Sequence, residues 1–210
     1  MTSWLHEQRL SAVHRVVLES GARRILDLGC GDGDLVLRLA RSPEIEHIVA
    51  IDLCHASLAR LSKRLAEAAD TALANVQIVH GSMLDAPRTY TGFDCALLIE
   101  TIEHIDPDRL SALEQAVFVG AKPACIVVTT PNAEFNALLG VPAGRFRHPD
   151  HRFEWERARF RRWAEGLAAR TGYTVTCADI AGRHPVFGGA SQMGVFRLQA
   201  QDPRIPMRQA

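Results

Sequence analysis

Five consecutive residues, Glu100-Thr101-Ile102-Glu103-His104, combine side chains that could bind a divalent metal ion. Carboxylate oxygens and imidazole nitrogens are both reasonable ligands for such an ion. If this acidic turn is helical, Glu100, Glu103 and His104 share one face, because residues three and four apart are neighbours on a helix. The simpler alternative is that both glutamates are solvated and that His104 caps a helix.

The elements on either side of the acidic turn place it where ligands usually bind. The apolar run 93–99 predicts a buried strand before the turn. The sequence Asp106-Pro107-Asp108 indicates the start of a helix after it, with an acid at the N-cap and proline at the first helical position. Ligands bind at the carboxyl ends of the strands in open parallel sheets, so we expect the turn at that end.

A second motif is the glycine loop, GCGDG at residues 29–33. It follows a predicted strand at 24–28, and glycines let the backbone approach a ligand closely. Asp52 ends the next predicted strand, 47–52, about 20 residues later, which is the spacing at which an acid reaches ribose hydroxyls. This pattern predicts a nucleotide-type site, with an NAD enzyme or a fold without a ligand as the alternatives.

Strands and helices alternate along the rest of the chain, which is typical of βαβ units and a parallel sheet. Residues 140–155 interrupt the alternation, and such long loops are usually functional or disordered. We expect one domain over 1–210, with an N-terminal helix (1–20), a core (21–200) and a disordered tail (201–210). Further strands are predicted at 76–80, 124–130, 173–180 and 193–199, and helices at 4–20, 55–69, 107–119 and 156–171.

Composition excludes several classes of function. The 210 residues carry 24 basic and 24 acidic side chains, so any nucleic-acid site must be a local patch. No apolar run approaches the roughly 18 residues that a membrane span needs, and the N-terminus does not resemble a signal peptide. Five cysteines without Cys-x-x-Cys spacing favour a reducing cytoplasm and argue against structural zinc.

The segment from Asp27 to Gly33 (DLGCGDG) resembles the first motif of class I methyltransferases, which bind S-adenosylmethionine. The resemblance implies an α/β, Rossmann-like fold: a seven-stranded, mostly parallel sheet whose last strand is antiparallel, with helices on both faces. It also implies that Asp27 faces the methionine ammonium across water or backbone, that Asp52 holds the ribose hydroxyls, and that Ser82 and Met83 border the adenine. The glycines of the implied cofactor site are Gly29, Gly31 and Gly33.

Later segments are similar to the HEN-type methyltransferases, which modify the 2′-hydroxyl at the 3′ end of small RNAs in plants, animals and bacterial RNA repair. These segments are TTPN (129–132), RHPDHRFEW (147–155) and ASQMGVF (190–196). The resemblance implies a metal site, with His148 as the alternative for the fourth ligand or as a base. Its implied ligands are Glu100, Glu103, His104 and His151.

Two residues depart from the family pattern. Glu156 stands where a helix-capping threonine is expected, and Pro149 follows His148 inside the motif. The implied reaction uses the metal to lower the pKa of a ribose hydroxyl. Mixed carboxylate and imidazole ligands favour manganese, with magnesium as the alternative. Either His104 or His148 takes the proton.

The segment 145–162, in the loop and the first part of the helix after it, carries seven arginines, a local basic cluster in a neutral protein. We expect Arg145, Arg147 and Arg152 to bind RNA phosphates, while other arginines of this cluster pair with nearby glutamates. Phe146 or Phe187 could stack on a terminal base, and packing in the core is the alternative for either.

The implied substrate is the 3′ end of a single-stranded RNA with a free 2′,3′-diol. We expect a cytoplasmic monomer that binds no membrane and works with a protein of RNA repair or of a small-RNA pathway. A quinol-type small-molecule methyltransferase is the first rival, but it does not explain the segment 147–155. A catalytically silent RNA-binding module is the second, and the intact set of metal ligands argues against it.

Overall fold

The computed structural model describes residues 3–68, 75–85 and 89–199. These residues form a seven-stranded sheet with the order β3-β2-β1-β4-β5-β7-β6. Neighbouring strands are parallel except that β7 runs antiparallel to both β5 and β6. The predicted mostly parallel sheet with an antiparallel last strand is therefore confirmed. The strands are β1 (Arg24–Leu28), β2 (His47–Asp52), β3 (Val76–His80), β4 (Cys95–Ile99), β5 (Cys125–Pro131), β6 (Tyr173–Ile180) and β7 (Ser191–Leu198).

Helices pack on both faces of this sheet, as predicted. The central strands are buried on both faces, which explains why they read as nearly continuous apolar runs. One face packs against α1, α2 and α3, and the other packs against α4 and α5. The helices are α1 (Trp4–Glu19), α2 (Asp34–Ala40), α3 (His55–Glu67), α4 (Leu110–Glu114) and α5 (Arg157–Thr171).

The prediction of one helix at 107–119 is wrong, because this segment is not a uniform α-helix. It begins as a 3₁₀ turn, Pro107–Arg109, continues as the short α4, and ends as a π-helix, Gln115–Ala121. Lys122 closes it in the left-handed region, and its N–H donates to the carbonyl of Val117 at 2.9 Å. Proline cannot continue a helix, and the next residue in the chain is a proline.

This arrangement places the carboxyl ends of β1, β2, β4 and β5 along one edge of the sheet, where the glycine loop and the acidic turn both lie. No helix within the described ranges is long and apolar enough to cross a membrane. The predicted disordered tail, 201–210, falls outside the described residues.

Candidate active site

A cavity of about 340 Å³ opens between β1, the glycine loop and the first half of α1. Its wall includes Asp27, Gly29, Gly31 and Gly33. All three glycines have positive φ, which residues with a side chain adopt at a cost. A Cβ on Gly29 would lie 2.3 Å from the Thr101 Cγ2 atom, so the backbone can approach the acidic turn only without a side chain there.

Asp27 supplies a buried carboxyl group to this cavity, with only 2% of the residue exposed. Burial and the nearby charge of Asp52 raise the pKa of Asp27 to about 7. A cationic ligand group would favour the ionised form and offset this penalty. The cavity therefore suits a ligand with an ammonium group, as S-adenosylmethionine has.

Asp52 is held in place by the backbone on both sides. Its Oδ2 accepts from the Gly31 N–H and its Oδ1 from the Cys54 N–H, both at 2.8 Å. Because a carboxylate has about four acceptor sites, lone pairs are left for two ribose hydroxyls. Leu53 follows with 62% of its surface exposed, an apolar side chain that the sequence analysis missed and that could cover an adenine.

The two residues predicted to border the adenine differ in their surroundings. Met83 lies beside the glycine loop, because its Cε would be 3.4 Å from a Cβ on Gly29. The Ser82 Oγ accepts from the Leu84 N–H at 3.1 Å and so stabilises its own turn. The roles of both residues toward adenine stay predictions.

Three contacts from other elements hold the first carboxylate of the acidic turn, that of Glu100. Glu100 has a φ of 52°, so its backbone is in a region that residues other than glycine rarely adopt. Its Oε1 accepts from the Thr129 Oγ1 at 3.0 Å, and its Oε2 accepts from the Ser191 Oγ at 3.3 Å. The Arg9 guanidinium lies 3.3 Å from the same Oε2.

The second carboxylate, Glu103, has no exposed surface. Its Oε2 accepts from the Thr130 Oγ1 at 3.0 Å, while its Oε1 is buried without a hydrogen-bond partner among the described residues. Burial, and then repulsion from Glu100, raises the pKa of Glu103 well above its usual range. A buried acceptor without a donor costs free energy, and a bound cation would remove that cost.

The last residue of the acidic turn belongs to a histidine cluster, formed by His104, His148 and His151. One ring nitrogen from each lies within 4.8 Å of the others. Burial and then the neighbouring imidazoles lower the pKa of His104, which keeps it neutral and able to bind a metal ion or accept a proton. The loop is also joined to the acidic turn, since the Arg152 N–H donates to the Glu103 carbonyl at 2.7 Å.

The predicted metal ligands are thus only partly gathered. His104 and His151 meet with His148 as a third imidazole, whereas the carboxylates of Glu100 and Glu103 bond to threonine hydroxyls of β5. The four-ligand set stays a prediction. The donor set nevertheless fits a divalent ion, because it offers imidazole nitrogens and an unpartnered carboxylate oxygen.

Solved structures share this fold. The chain superimposes on the methyltransferase domain of bacterial CtHen1 with a TM-score of 0.82 and 35% identity, over 93% of this chain and 100% of that domain. The chain belongs to the Hen1 family. The structure of the small RNA methyltransferase HEN1 is a second Hen1 relative, with a TM-score of 0.85 and 32% identity, over 92% of this chain and 25% of that one.

Comparison with curated proteins agrees with Hen1 membership. The small RNA 2′-O-methyltransferase of Rattus norvegicus is 37% identical over 92% of this chain and 51% of its own length. The chain therefore spans about half the length of that relative. A family model described as a methyltransferase domain matches residues 25–123. The predicted Rossmann-like, class I fold of S-adenosylmethionine-dependent methyltransferases is confirmed.

In this Hen1-family chain, Glu154 fixes the orientation of one cluster histidine. Its Oε1 lies 2.5 Å from the Nδ1 of His151, and it also accepts from the Arg147 N–H and the Asn136 amide. Burial raises the pKa of Glu154, but these hydrogen bonds outweigh it and hold the pKa below its usual range. An ionised carboxylate at Nδ1 leaves the Nε2 lone pair of His151 free for a metal ion.

The three arginines predicted to bind phosphate lie in different surroundings. Arg145 is exposed, and Arg152 lies 3.3 Å from the carboxylate of Asp106. The guanidinium of Arg147 donates to the Asn136 Oδ1 and to two backbone carbonyls near the ends of β5 and β7. Arg147 therefore anchors its loop, a use that the sequence did not indicate, and phosphate binding by all three stays a prediction.

Helix α1 also contributes to the Hen1-family site, a role that the sequence analysis did not predict. His6 lies 3.1 Å from the carboxylate of Asp34, and Arg9 reaches both His6 and Glu100. Both side chains line the cofactor cavity. The sequence signal for this role was the spacing of His6 and Arg9, which are three positions apart and so lie on one side of an amphipathic helix.

Replacing Asp52 with alanine should lower the affinity for S-adenosylmethionine about ten-fold or more, because hydrogen bonds to charged groups are worth roughly 1.5–3 kcal/mol. Titration calorimetry measures this change, and thermal melting shows whether the variant stays folded. Asp108→Ala, an exposed acid outside the cavity, is the control. Equal affinity in the Asp52 variant and the wild type would exclude Asp52 as the ribose-binding acid.

Proposed function

We propose that this Hen1-family chain transfers a methyl group from S-adenosylmethionine to the 2′-oxygen of the 3′-terminal nucleotide of RNA, with the help of a divalent metal ion. The observation that carries the proposal is the histidine cluster, because its loop is hydrogen-bonded to the acidic turn at the same sheet edge as the cofactor cavity. That turn also holds the buried Glu103 oxygen, which has no hydrogen-bond partner among the described residues. Relatives named small RNA 2′-O-methyltransferases support the choice of acceptor.

The metal ion, when bound, supplies positive charge that lowers the pKa of a ribose hydroxyl beside it. His104 and His151 would hold it through imidazole nitrogens, and Glu103 through its unpartnered oxygen, with Glu100 as the second carboxylate. Three imidazoles in the cluster favour manganese over magnesium. His148 is exposed, so it can serve as a fourth ligand or as a base.

The protein itself positions the acceptor and accepts its proton. Either His104 or His148 accepts the proton: the imidazole that binds the metal ion through its lone pair cannot also be the base, so the other one takes this role. The fixed Asp52 carboxylate and the glycine loop hold the methyl donor at the neighbouring strand ends. Once the ribose oxygen and the methyl donor are in line, transfer of the methyl group needs mainly correct positioning of the two.

Selection of the RNA end follows from the same arrangement. A terminal ribose offers a cis 2′,3′-diol that can bind one metal ion through both oxygens, whereas the 3′ oxygen of an internal ribose is esterified. Arg145 and Arg152, with Arg147 if it leaves its structural contacts, would bind nearby phosphates. A protein partner from RNA repair or a small-RNA pathway, a monomeric state and a cytoplasmic location stay predictions.

The position of the transferred methyl group tests this function. The chain is incubated with manganese, S-adenosylmethionine and a short RNA, which is then digested with nuclease and analysed by mass spectrometry. We expect one 2′-O-methyl group on the 3′-terminal nucleotide. Methylation of a base or of internal riboses would contradict the proposal, and activity on free quinols but not on RNA would favour a small-molecule methyltransferase.

Replacing Glu154 with glutamine should weaken metal binding about 10–100-fold, because the amide no longer supplies the charge that orients His151 and raises its basicity. The dissociation constant for Mn²⁺, measured by electron paramagnetic resonance, is the direct readout. The turnover should be restored in part by excess manganese, which a purely structural defect would not show.

Glu156→Gln is the matched control, because Glu156 is exposed, lies two residues away and makes no side-chain cap on α5. Its manganese affinity should equal that of the wild type. Equal manganese affinity in the Glu154 and Glu156 variants would show that Glu154 does not support a metal ligand.

A further inference from the structure

A second concave surface, which we name the outer groove, lies on the other side of α1 from the cofactor cavity. Its volume is about 1150 Å³, larger than the roughly 300–1,000 Å³ of small-molecule pockets. One wall is the outward side of α1, and the other is the end of β6 with the segment that joins it to β7. Characteristic lining residues are Trp4, Ser11, Arg15, Arg183, His184 and Pro185.

The groove carries uncompensated positive charge. Two acids line it, but Glu7 pairs with Arg38 at 2.5 Å, and Asp179 lies 3.2 Å from Arg157, which it shares with Glu134. The exposed Arg15 and Arg183 have no ion pair within 4.0 Å among the described residues. The surface therefore favours a polyanion.

One aromatic side chain that lines the groove, Trp4, is exposed and not packed in the core. Trp4 is 66% exposed although it begins a helix whose other apolar residues pack on the sheet. His184, on the opposite wall, stacks against Phe187 with ring centroids 4.9 Å apart. Positive charge together with an exposed aromatic ring is typical of grooves that bind single-stranded nucleic acid, because phosphates meet arginine and bases stack on the ring.

Residues next to both walls of the outer groove contact Glu100 of the acidic turn. Gln8 lines it and accepts from the Gly182 N–H at 2.6 Å, while the next residue, Arg9, reaches Glu100. On the other wall, Gly189 lines the groove, and Ser191, two residues later, donates to Glu100. Both walls thus lead to the carboxylate of the acidic turn.

We propose that the outer groove binds the RNA strand on the 5′ side of its terminal nucleotide, an inference that rests on the proposed function. Arg15 and Arg183 contact phosphates, and Trp4 stacks on an unpaired base. The terminal ribose occupies the acceptor site, and the strand leaves it between α1 and the β6–β7 segment. The alternative is that the groove binds a protein segment, and the following experiment distinguishes this from RNA binding.

Binding of a fluorescent ten-nucleotide single-stranded RNA is measured by anisotropy over a range of salt concentrations. The double variant Arg15→Ala/Arg183→Ala should bind roughly ten-fold more weakly. Its logarithmic salt slope should fall by about 1.4, because each phosphate contact on a single strand contributes about 0.7. The control is Arg23→Ala/Arg197→Ala, which removes two exposed arginines at the opposite edge of the sheet.

Turnover on two substrates locates the effect. The Arg15/Arg183 variant should lose about ten-fold in kcat/KM with the ten-nucleotide RNA and none with a dinucleotide, which fills only the acceptor site. A 4-thiouridine placed two or three nucleotides from the 3′ end should cross-link to Trp4 or His184. Equal loss with both substrates, unchanged RNA binding, or cross-links confined to residues 140–155 would overturn the proposal.

Failure of the proposed function gives a different result. If the wild type binds RNA but methylates no RNA end, the function is wrong, while a weakened affinity of the Arg15/Arg183 variant would still assign the groove to RNA. If the ends are methylated and the double variant matches the Arg23/Arg197 control in every assay, the groove assignment alone is wrong.

Discussion

Replacement of Glu103 with glutamine is expected to lower the rate of methyl transfer to RNA by about 100–1,000-fold. Charge stabilisation by a bound metal ion is worth several kcal/mol, and about 1.4 kcal/mol corresponds to ten-fold in rate. The amide keeps the size of the side chain but loses the charge that would hold the ion. Affinity for S-adenosylmethionine should stay unchanged, because Glu103 does not line the cofactor cavity.

The same substitution should stabilise the metal-free protein. Burial and the charge of Glu100 raise the pKa of Glu103, so its ionisation opposes folding. Below about pH 4, where the unfolded residue is protonated too, the variant and the wild type should unfold alike. As the pH rises through the raised pKa, the wild type should lose stability relative to the variant.

Thermal melts in chelator and in manganese measure this difference. The pKa of Asp27 is also raised, but it affects both proteins equally and cancels in the comparison. Manganese should stabilise the wild type more than the variant. Glu44→Gln, at an exposed site, should behave as the wild type throughout. A Glu103 variant with full activity, or with manganese stabilisation equal to that of the wild type, would exclude Glu103 as a ligand.

The second large effect concerns the end of the RNA. An RNA with a 3′-phosphate is expected to react at less than about one hundredth of the rate of the same RNA with a free diol, a loss of about 2.7 kcal/mol or more. The phosphate brings negative charge next to Glu100 and Glu103 and blocks one of the two hydroxyls that bind the metal. Because all three groups are negatively charged, the phosphate and the two carboxylates repel each other.

Matched RNAs separate the contributions of the two hydroxyls. A 2′-deoxy end lacks the acceptor and should not react. A 3′-deoxy end keeps the acceptor but loses one metal contact, so it should react slowly. Initial rates are measured with labelled S-adenosylmethionine at saturating manganese. Equal rates for the diol and the 3′-phosphate would exclude selection through the diol, even if the methyl group is on the terminal ribose.

The fold was largely predictable because its signals are local. Buried parallel strands leave apolar runs, and each predicted strand lies within a few residues of the observed one. The glycine loop and the ending of β2 in Asp52 also follow from the chain itself. The π-helix was not predictable, since the residues from Gln115 to Ala121 have no composition that distinguishes a wide helix from an ordinary one.

The site was less predictable because its contacts join distant segments. The hydroxyls of Thr129 and Thr130 reach Glu100 and Glu103 only through the pairing of β4 with β5. Arg147 illustrates the limit, because an exposed phosphate ligand and a buried loop anchor have the same residue type. Only the positions of its acceptors distinguish these two roles.

The position of β7 delays completion of the sheet during synthesis of the chain. β7 is the last strand within the described residues, yet it lies between β5 and β6. Until residue 198 has left the exit tunnel, β5 is paired only with β4, and β6 has no partner among the described strands. Until then, two strand edges are open to pairing with other chains. Ser191, which contacts Glu100, arrives at the same moment, so a nascent chain acquires its complete acidic turn only when it also closes its sheet.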